Sequence, residues 1–274
     1  MTTTTSWLAV SGAGRRTFYL GADSQGTVIS GNGASNKTIK KVFASNSTPE
    51  VFAFSGDASW GSYFIKRLLD KIEKEEVVSE LGTIERAREF CSLTCSRPSK
   101  NAVCELGVLY GVRAGSGRKS TFRLFELRHS GSIAENWRVK RIAEDKLALE
   151  RSTRVFSSGL GGSTHVKRQE WIASGDQGDV ARTSFWSLCD LVDGKPRNDI
   201  MTGGFPQLVK LDESGCGVVV GICYFGTPTV YGQKISLEQN RASVWVNQEF
   251  IQLDPRTLKP FKNAQMYGRR DDGR

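Results

Sequence analysis

The sequence predicts an α+β fold in which two antiparallel sheets are covered by helices. Strand-like runs occur in groups and helical periodicities in pairs, so the order is strands, helices, strands, helices, strands, not alternating parallel βαβ units. A length of 274 residues with 38% hydrophobic content suffices for one large core. The 29 glycines and seven prolines are scattered, without a low-complexity block or a fixed-period repeat.

Residues 4–10 and 17–22 are rich in Thr, Val, Trp, Phe and Tyr, and Ser11-Gly12-Ala13-Gly14 supplies turn chemistry between them, which predicts a hairpin. A strand over 51–55 ends at Gly56. Asp57 then caps a helix whose apolar residues Trp60, Phe64, Leu68 and Ile72 recur every four positions. A second helix over 84–94 precedes strands over 102–112 and 120–128, joined by a Gly-rich turn, and another strand closes at Ser157. Helical stretches over 164–173 and 180–192 lead to strands over 207–211 and 217–223. Beyond Gly232 the pattern weakens to one strand over 249–253 and a polar end, so residues 2–231 are read as the domain and 232–274 as a C-terminal extension.

The opening MTTTTSWLAV has no basic n-region and only a short apolar run, so neither a signal peptide nor a membrane span is expected, and the cytoplasm is the expected location. The six cysteines sit mostly in apolar runs, as reduced core thiols do. With no C-x-x-C pair and only His129 and His165, no metal is expected, and no cofactor either. The net charge of +9 is locally concentrated at Arg113, Arg118, Lys119 and Arg123. No aromatic-interleaved basic stretch accompanies it, so a solvated hairpin face is preferred over a nucleic-acid site. Gly159-Leu160-Gly161-Gly162 lacks the third glycine and the βαβ setting of a dinucleotide loop.

A hydroxyl nucleophile needs a base, and an N-terminal threonine carries its own in a free α-amine of pKa about 7.7–8.0. No histidine is then required, which suits a chain without a G-x-S-x-G elbow. Removal of Met1 would expose Thr2.

The N-terminal threonines, Gly21-Ala22-Asp23-Ser24, Lys40-Lys41-Val42 and Phe54-Ser55-Gly56 together resemble, in order and spacing, the opening of proteasome β-subunits and the bacterial HslV peptidase. Ser157-Ser158-Gly159 is similar to the family's Gly-Ser-Gly segment, and Asp199-Ile200-Met201-Thr202-Gly203-Gly204 to its Asp-x-x-Ser-Gly-Gly. The resemblance spans residues 2–225 and is strongest to bacterial proteasome homologues. It implies a four-layer αββα sandwich of the N-terminal-nucleophile hydrolase type, with the site at one end of the sheets.

It further implies Thr2 as nucleophile and, through its amine and a water, as base, with Lys41 as the ammonium that lowers the hydroxyl's pKa and Asp23 holding Lys41 charged. The Gly56 N–H would stabilise the oxyanion, and Ser158, Asp199 and Thr202 would orient the amine and its water. Thr202 stands where the family has Ser. Gly26, Ile39, Phe43, Phe54 and Ala58 match an apolar substrate pocket. A hairpin with the terminal residue opposite Asp23 centres between Gly12 and Ala13 for Thr2, and between Ala13 and Gly14 for Thr4, so Thr4 stays open.

The implied function is a threonine-type endopeptidase of a self-compartmentalising homo-oligomer in stacked rings, acting on peptides or unfolded proteins, ATP-independent or assisted by an ATPase unfoldase. Two other readings stay open: a small-molecule amidase of the same chemistry, and a catalytically silent scaffold subunit.

Overall fold

The computed structural model describes residues 3–11, 13–30, 33–93, 105–130, 137–144, 153–159, 167, 181–194, 202–239, 242–262 and 264. It is a mixed α/β structure with three α-helices and several largely antiparallel sheets among the described residues.

The predicted opening hairpin is formed by β1 (Thr3–Val10) and β2 (Arg16–Ala22), with Thr4 opposite Ala22 and Val10 opposite Arg16. A second hairpin follows, β3 (Gln25–Ser30) and β4 (Gly33–Thr38), in a stretch where no strand is predicted. Next come β5 (Val42–Ala44), β6 (Glu50–Gly56), β7 (Leu106–Ala114), β8 (Thr121–His129) and β9 (Arg138–Glu144), a five-stranded antiparallel meander in chain order. β9 is an edge strand whose exposed Arg138 and Lys140 hide its strand character in the sequence and discourage pairing with another edge.

The nine-stranded sheet contains β10 (Thr153–Gly159), β1, β2, β11 (Gln207–Asp212), β12 (Val218–Tyr224), β13 (Thr227–Val230) and β14 (Gln233–Lys234) in that order. From β12 a branch runs through β15 (Val244–Asn247), which is parallel to it, to β16 (Gln252–Leu253). Residues beyond Gly232, expected as an extension, therefore add three strands to this sheet, and the single strand expected over 249–253 is instead two short ones around a turn.

Helix α1 (Ala58–Glu73) starts at the expected cap, the Asp57 carboxylate accepting from the Trp60 N–H at 2.9 Å. It buries Trp60, Phe64, Leu68 and Ile72, and with α2 (Ile84–Leu93) covers one face of the meander through Phe52, Phe54, Val108, Tyr110 and Phe125. The other face of the meander contributes Val42, Val51, Ala53, Leu109 and Leu124, which pack against Leu8, Phe18, Leu20 and Val209 of the nine-stranded sheet. Helix α3 (Ala181–Val192) packs Phe185, Trp186 and Cys189 on the far side of that sheet, against Trp7, Leu208 and Ile222. The helix expected over 164–173 lies outside the described residues, apart from Lys167.

The basic cluster is not simply a solvated face. Arg113 is buried and donates to the carbonyls of Gly115 (3.0 Å) and Asp212 (2.7 Å), and Arg123 donates to that of Gly82 at 2.8 Å, so two of its four cations hold backbone turns. Only Arg118 and Lys119 are exposed. The four cysteines among the described residues are free, with Cys91 and Cys189 buried. Among the same residues no helix is long and apolar enough to cross a membrane.

Candidate active site

The end of β2 sets the site. Asp23 follows the last paired residue of that strand, and the hairpin register puts it level with Thr3, so the turn is centred on Ala13, between the two centrings weighed from the sequence. The Thr3 N–H donates to Asp23 Oδ1 at 3.0 Å, and the Asp23 N–H donates to the Thr3 carbonyl at 3.3 Å.

Lys41 closes the pair from the other sheet. It precedes β5, and its Nζ donates to Asp23 Oδ1 (3.0 Å), to Oδ2 (2.9 Å) and to the Gln25 carbonyl. Asp23 Oδ2 also accepts from the backbone N–H of Gln25 at 3.2 Å and of Gly203 at 3.4 Å. Both side chains are fully buried. Burial pushes the Asp23 carboxyl up and the Lys41 amine down, and each partner's charge opposes the shift of the other. The five hydrogen bonds that these four donors make to one carboxylate are what keep a charged pair tenable there.

The Thr202-Gly203-Gly204 segment seals the third side. Thr202 Oγ1 is 3.0 Å from Thr3 Oγ1, and the Gly203 carbonyl accepts from the N–H groups of Ser24 (3.2 Å) and Gln25 (2.9 Å). Gly204 has φ +82°, and a Cβ there would lie 2.4 Å from Ser24 Oγ, so glycine lets the segment approach this closely. Ser24 Oγ in turn accepts from the Phe205 N–H at 2.7 Å.

Gln207, the first residue of β11, was not anticipated. Its buried carboxamide accepts from the Lys41 N–H at 2.9 Å and donates to the carbonyls of Asp23 (3.3 Å) and Ile39 (2.5 Å). A polar residue opening a strand gives no sequence signal for such a role. Thr3 gives no signal either, because which of four consecutive threonines stands opposite Asp23 is set by the register of the hairpin.

The other expected site residues are placed as follows. Gly56 ends β6, two residues after Phe54, whose N–H donates to the Lys41 carbonyl at 3.1 Å. Its φ is +106°, and a Cβ would lie 2.0 Å from the Glu105 carbonyl oxygen, so only glycine fits. Ser158 lies opposite Thr4 on β10, and its neighbour Gly159 opposite Thr3. The side chain of Ser158, and Thr2 and Asp199 entirely, lie outside the described residues.

The five expected pocket residues are neighbours. Ile39, Phe43, Phe54 and Ala58 join one apolar cluster, and Gly26 leaves room for Ile39, whose Cδ1 would lie 1.9 Å from an added Cβ. Phe43 and Phe54 are fully buried, with ring centroids 6.4 Å apart.

Lys40 points elsewhere. Its Nζ lies 4.5 Å from the centre of the Phe43 ring and 3.6 Å from that of Tyr231, and burial, with Lys66 second, pulls its pKa down to about 8. Its folded pKa is thus below the unfolded one, and between pH 8 and 10 the unfolded chain binds more protons. Stability from this residue therefore rises with pH across that window. Unfolding of wild type and Lys40→Met by urea at pH 7, 8, 9 and 10 is expected to show wild type gaining on the variant above pH 8. Parallel curves would refute the shift.

No protein-family model matches the chain, and no curated protein matches it. Solved structures with a similar course include the ancestral beta-subunit Anbu from Yersinia bercovieri, 13% identical over 77% of this chain and 82% of that one, with a TM-score of 0.48. An Anbu (Gly-1) mutant from Hyphomicrobium sp. strain MC1 is 13% identical over 79% of this chain and 87% of that one, at a TM-score of 0.49. Eukaryotic HslV from Trypanosoma brucei is 15% identical over 76% of this chain and 99% of that one, at 0.44. At these identities and scores no residue role passes from them to this chain.

Proposed function

We propose that this chain is a threonine-type endopeptidase of the proteasome β kind, with Thr2 as nucleophile once Met1 has left. The observation that carries this reading is the buried Asp23–Lys41 pair, which lies beside the start of the strand that Thr3 begins. A lysine with both carboxylate oxygens of a buried aspartate, beside the chain start, is a costly arrangement for a fold to keep without chemical use.

Elimination among the threonines supports Thr2. The Thr3 nitrogen donates to Asp23 and the Thr3 hydroxyl meets Thr202, so both of its functional atoms are engaged. Thr4 is fully buried and paired on both sides, opposite Ala22 and Ser158. Thr2 is one peptide bond from Thr3, which fixes the two Cα atoms about 3.8 Å apart.

In the proposed reaction Thr2 Oγ bonds to the peptide carbonyl carbon while its proton passes through a water to the Thr2 amine. The tetrahedral oxyanion accepts from the Gly56 N–H. The C–N bond breaks as the ammonium returns the proton to the leaving amine, and a second water hydrolyses the acyl ester. Lys41, charged and held by Asp23, favours the alkoxide. Ser158, Asp199 and Thr202 orient the amine and its water. Gly26, Ile39, Phe43, Phe54 and Ala58 receive an apolar side chain.

The proposal extends to a four-layer αββα sandwich, which the three core clusters support: α1 and α2 on the meander, the meander on the nine-stranded sheet, and that sheet on α3. It also extends to a cytoplasmic homo-oligomer in stacked rings, acting on peptides or unfolded proteins alone or with an ATPase.

The test is intact-mass spectrometry before and after an epoxyketone, which needs both the hydroxyl and the amine of a terminal threonine. Loss of Met1 and one adduct on Thr2, absent in Thr2→Ala and with part of the turnover kept in Thr2→Ser, is the expected result. Retained Met1 without an adduct, or full activity in Thr2→Ala, would overturn the assignment.

A further inference from the structure

The catalytic pair joins two sheets, and something must hold their backbones in register. Asp23 leaves β2 of the nine-stranded sheet, and Lys41 enters β5 of the meander. The ion pair itself cannot set that register, because an ammonium on a four-carbon stem adapts to a range of positions. A planar carboxamide has fixed donor and acceptor directions and does not.

We propose that Gln207 is a positioning residue of this site, clamping the main chains of Asp23 and Lys41 so that the carboxylate and the amine meet in one geometry. The proposal rests on the reading of the Asp23–Lys41 pair given above. Gln207 is fully buried, and all three of its contacts are with backbone: Oε1 accepts from the Lys41 N–H at 2.9 Å, and Nε2 donates to the carbonyls of Asp23 (3.3 Å) and Ile39 (2.5 Å). The orientation of the amide is unambiguous, since one neighbour is a donor and two are acceptors. Gln207 itself is fixed by its place on β11 opposite Ala22, the residue before Asp23, so the clamp is anchored on the strand that leads into the aspartate.

Its neighbour Ile39 belongs to the proposed substrate cluster, and through the Ile39 carbonyl the same carboxamide ties that wall to the pair. Gly232, in the turn between β13 and β14, comes close to it: an added Cβ would lie 3.4 Å from Gln207 Cγ and 2.3 Å from Ser24 Cβ. The β13–β14 hairpin thus backs the clamp as well as the loop that carries Ser24.

Gln207→Leu and Gln207→Glu are compared with wild type in peptide turnover and in titration of the Lys41 amine, followed by NMR of protein carrying isotope-labelled lysine. In Gln207→Leu, kcat is expected to fall about 10- to 100-fold, with KM changed by less than about threefold. The Lys41 midpoint should fall, because a less closely held Asp23 no longer offsets burial of the amine. Gln207→Glu keeps the length of the side chain but loses both donors. The same loss of kcat is expected, with the Lys41 midpoint raised by the added carboxylate.

A Lys41 midpoint unchanged in both variants, or a loss of turnover accounted for by the unfolded fraction at the assay temperature, would overturn the proposal. Absence of turnover in wild type would instead overturn the peptidase reading, and the Lys41 titration would still decide the role of Gln207.

Discussion

Lys41→Ala is expected to lower peptide turnover by about a thousandfold or more, in line with the loss of a member of a unit that acts together, whereas Lys40→Ala should stay within a few-fold of wild type. The two lysines are adjacent in sequence and opposite in circumstance. Lys41 has both Asp23 oxygens within 3.0 Å, while Lys40 lies over the rings of Phe43 and Tyr231. Steady-state kinetics on the two variants decide between them, and silencing by Lys40→Ala alone would move the site by one residue.

The same variant should also be destabilised, by about 3–5 kcal/mol, because Asp23 is left as a buried carboxylate without its counter-ion. The sign with pH follows from burial. With Lys41 gone, the folded-state pKa of Asp23 rises further above its unfolded value. Folding then favours the protonated form, so stability is present in acid and is lost as pH rises through the folded pKa. The deficit of Lys41→Ala against wild type should therefore be smaller at pH 4 than at pH 7. Asp23→Asn combined with Lys41→Met should recover stability but not turnover, separating the structural cost from the chemical one.

Arg86→Ala should have the largest purely structural effect. Glu50 of β6 is fully buried and accepts from Arg86 Nε at 2.8 Å and Nη2 at 2.9 Å, from the Tyr110 hydroxyl at 2.6 Å and from the Thr48 hydroxyl at 2.6 Å. The guanidinium thereby joins α2 to β6, and its Nη1 adds a bond to the Ser79 carbonyl at 2.8 Å. Its removal strands a buried carboxylate, at a cost of about 3–5 kcal/mol, or roughly 6–20 °C in Tm for a chain of this size. Adduct formation at Thr2 by molecules that remain folded should be unaffected, since nothing in this network touches Asp23 or Lys41. A Tm within about 2 °C of wild type would show that the network contributes little.

Helices α1, α2 and α3 and strands β1, β2, β6, β7, β8, β11 and β12 were legible because their residues face opposite environments at a regular period, whereas the three-residue β5 was not. Trp60, Phe64, Leu68 and Ile72 recur at helical spacing and are all buried by α1. Strand β9 was not legible, because an edge strand with Arg138, Lys140 and Arg141 carries charge where a central strand carries Val or Ile. Hairpin β3–β4 was missed as well: Gly33-Ala34-Ser35-Asn36 has the composition of a loop.

The resemblance to known sequences singled out Asp23, Lys41 and Thr202 and their neighbours, and these lie together around Thr3 in the structure. Thr2 and Asp199 lie outside the described residues.

By itself, the sequence determined the α+β character, the opening hairpin and the cap and buried face of α1, because each follows from local propensity and from the period of hydrophobic residues within one segment. Tertiary structure alone decided which residue stands opposite Asp23, that Gln207 bonds the backbones of both partners, that residues beyond Gly232 complete a sheet, and that two cations of a basic cluster hold turns. Each of these depends on hydrogen bonds between segments distant in the chain. Such bonds are directional and individually made, and composition and periodicity carry no record of them.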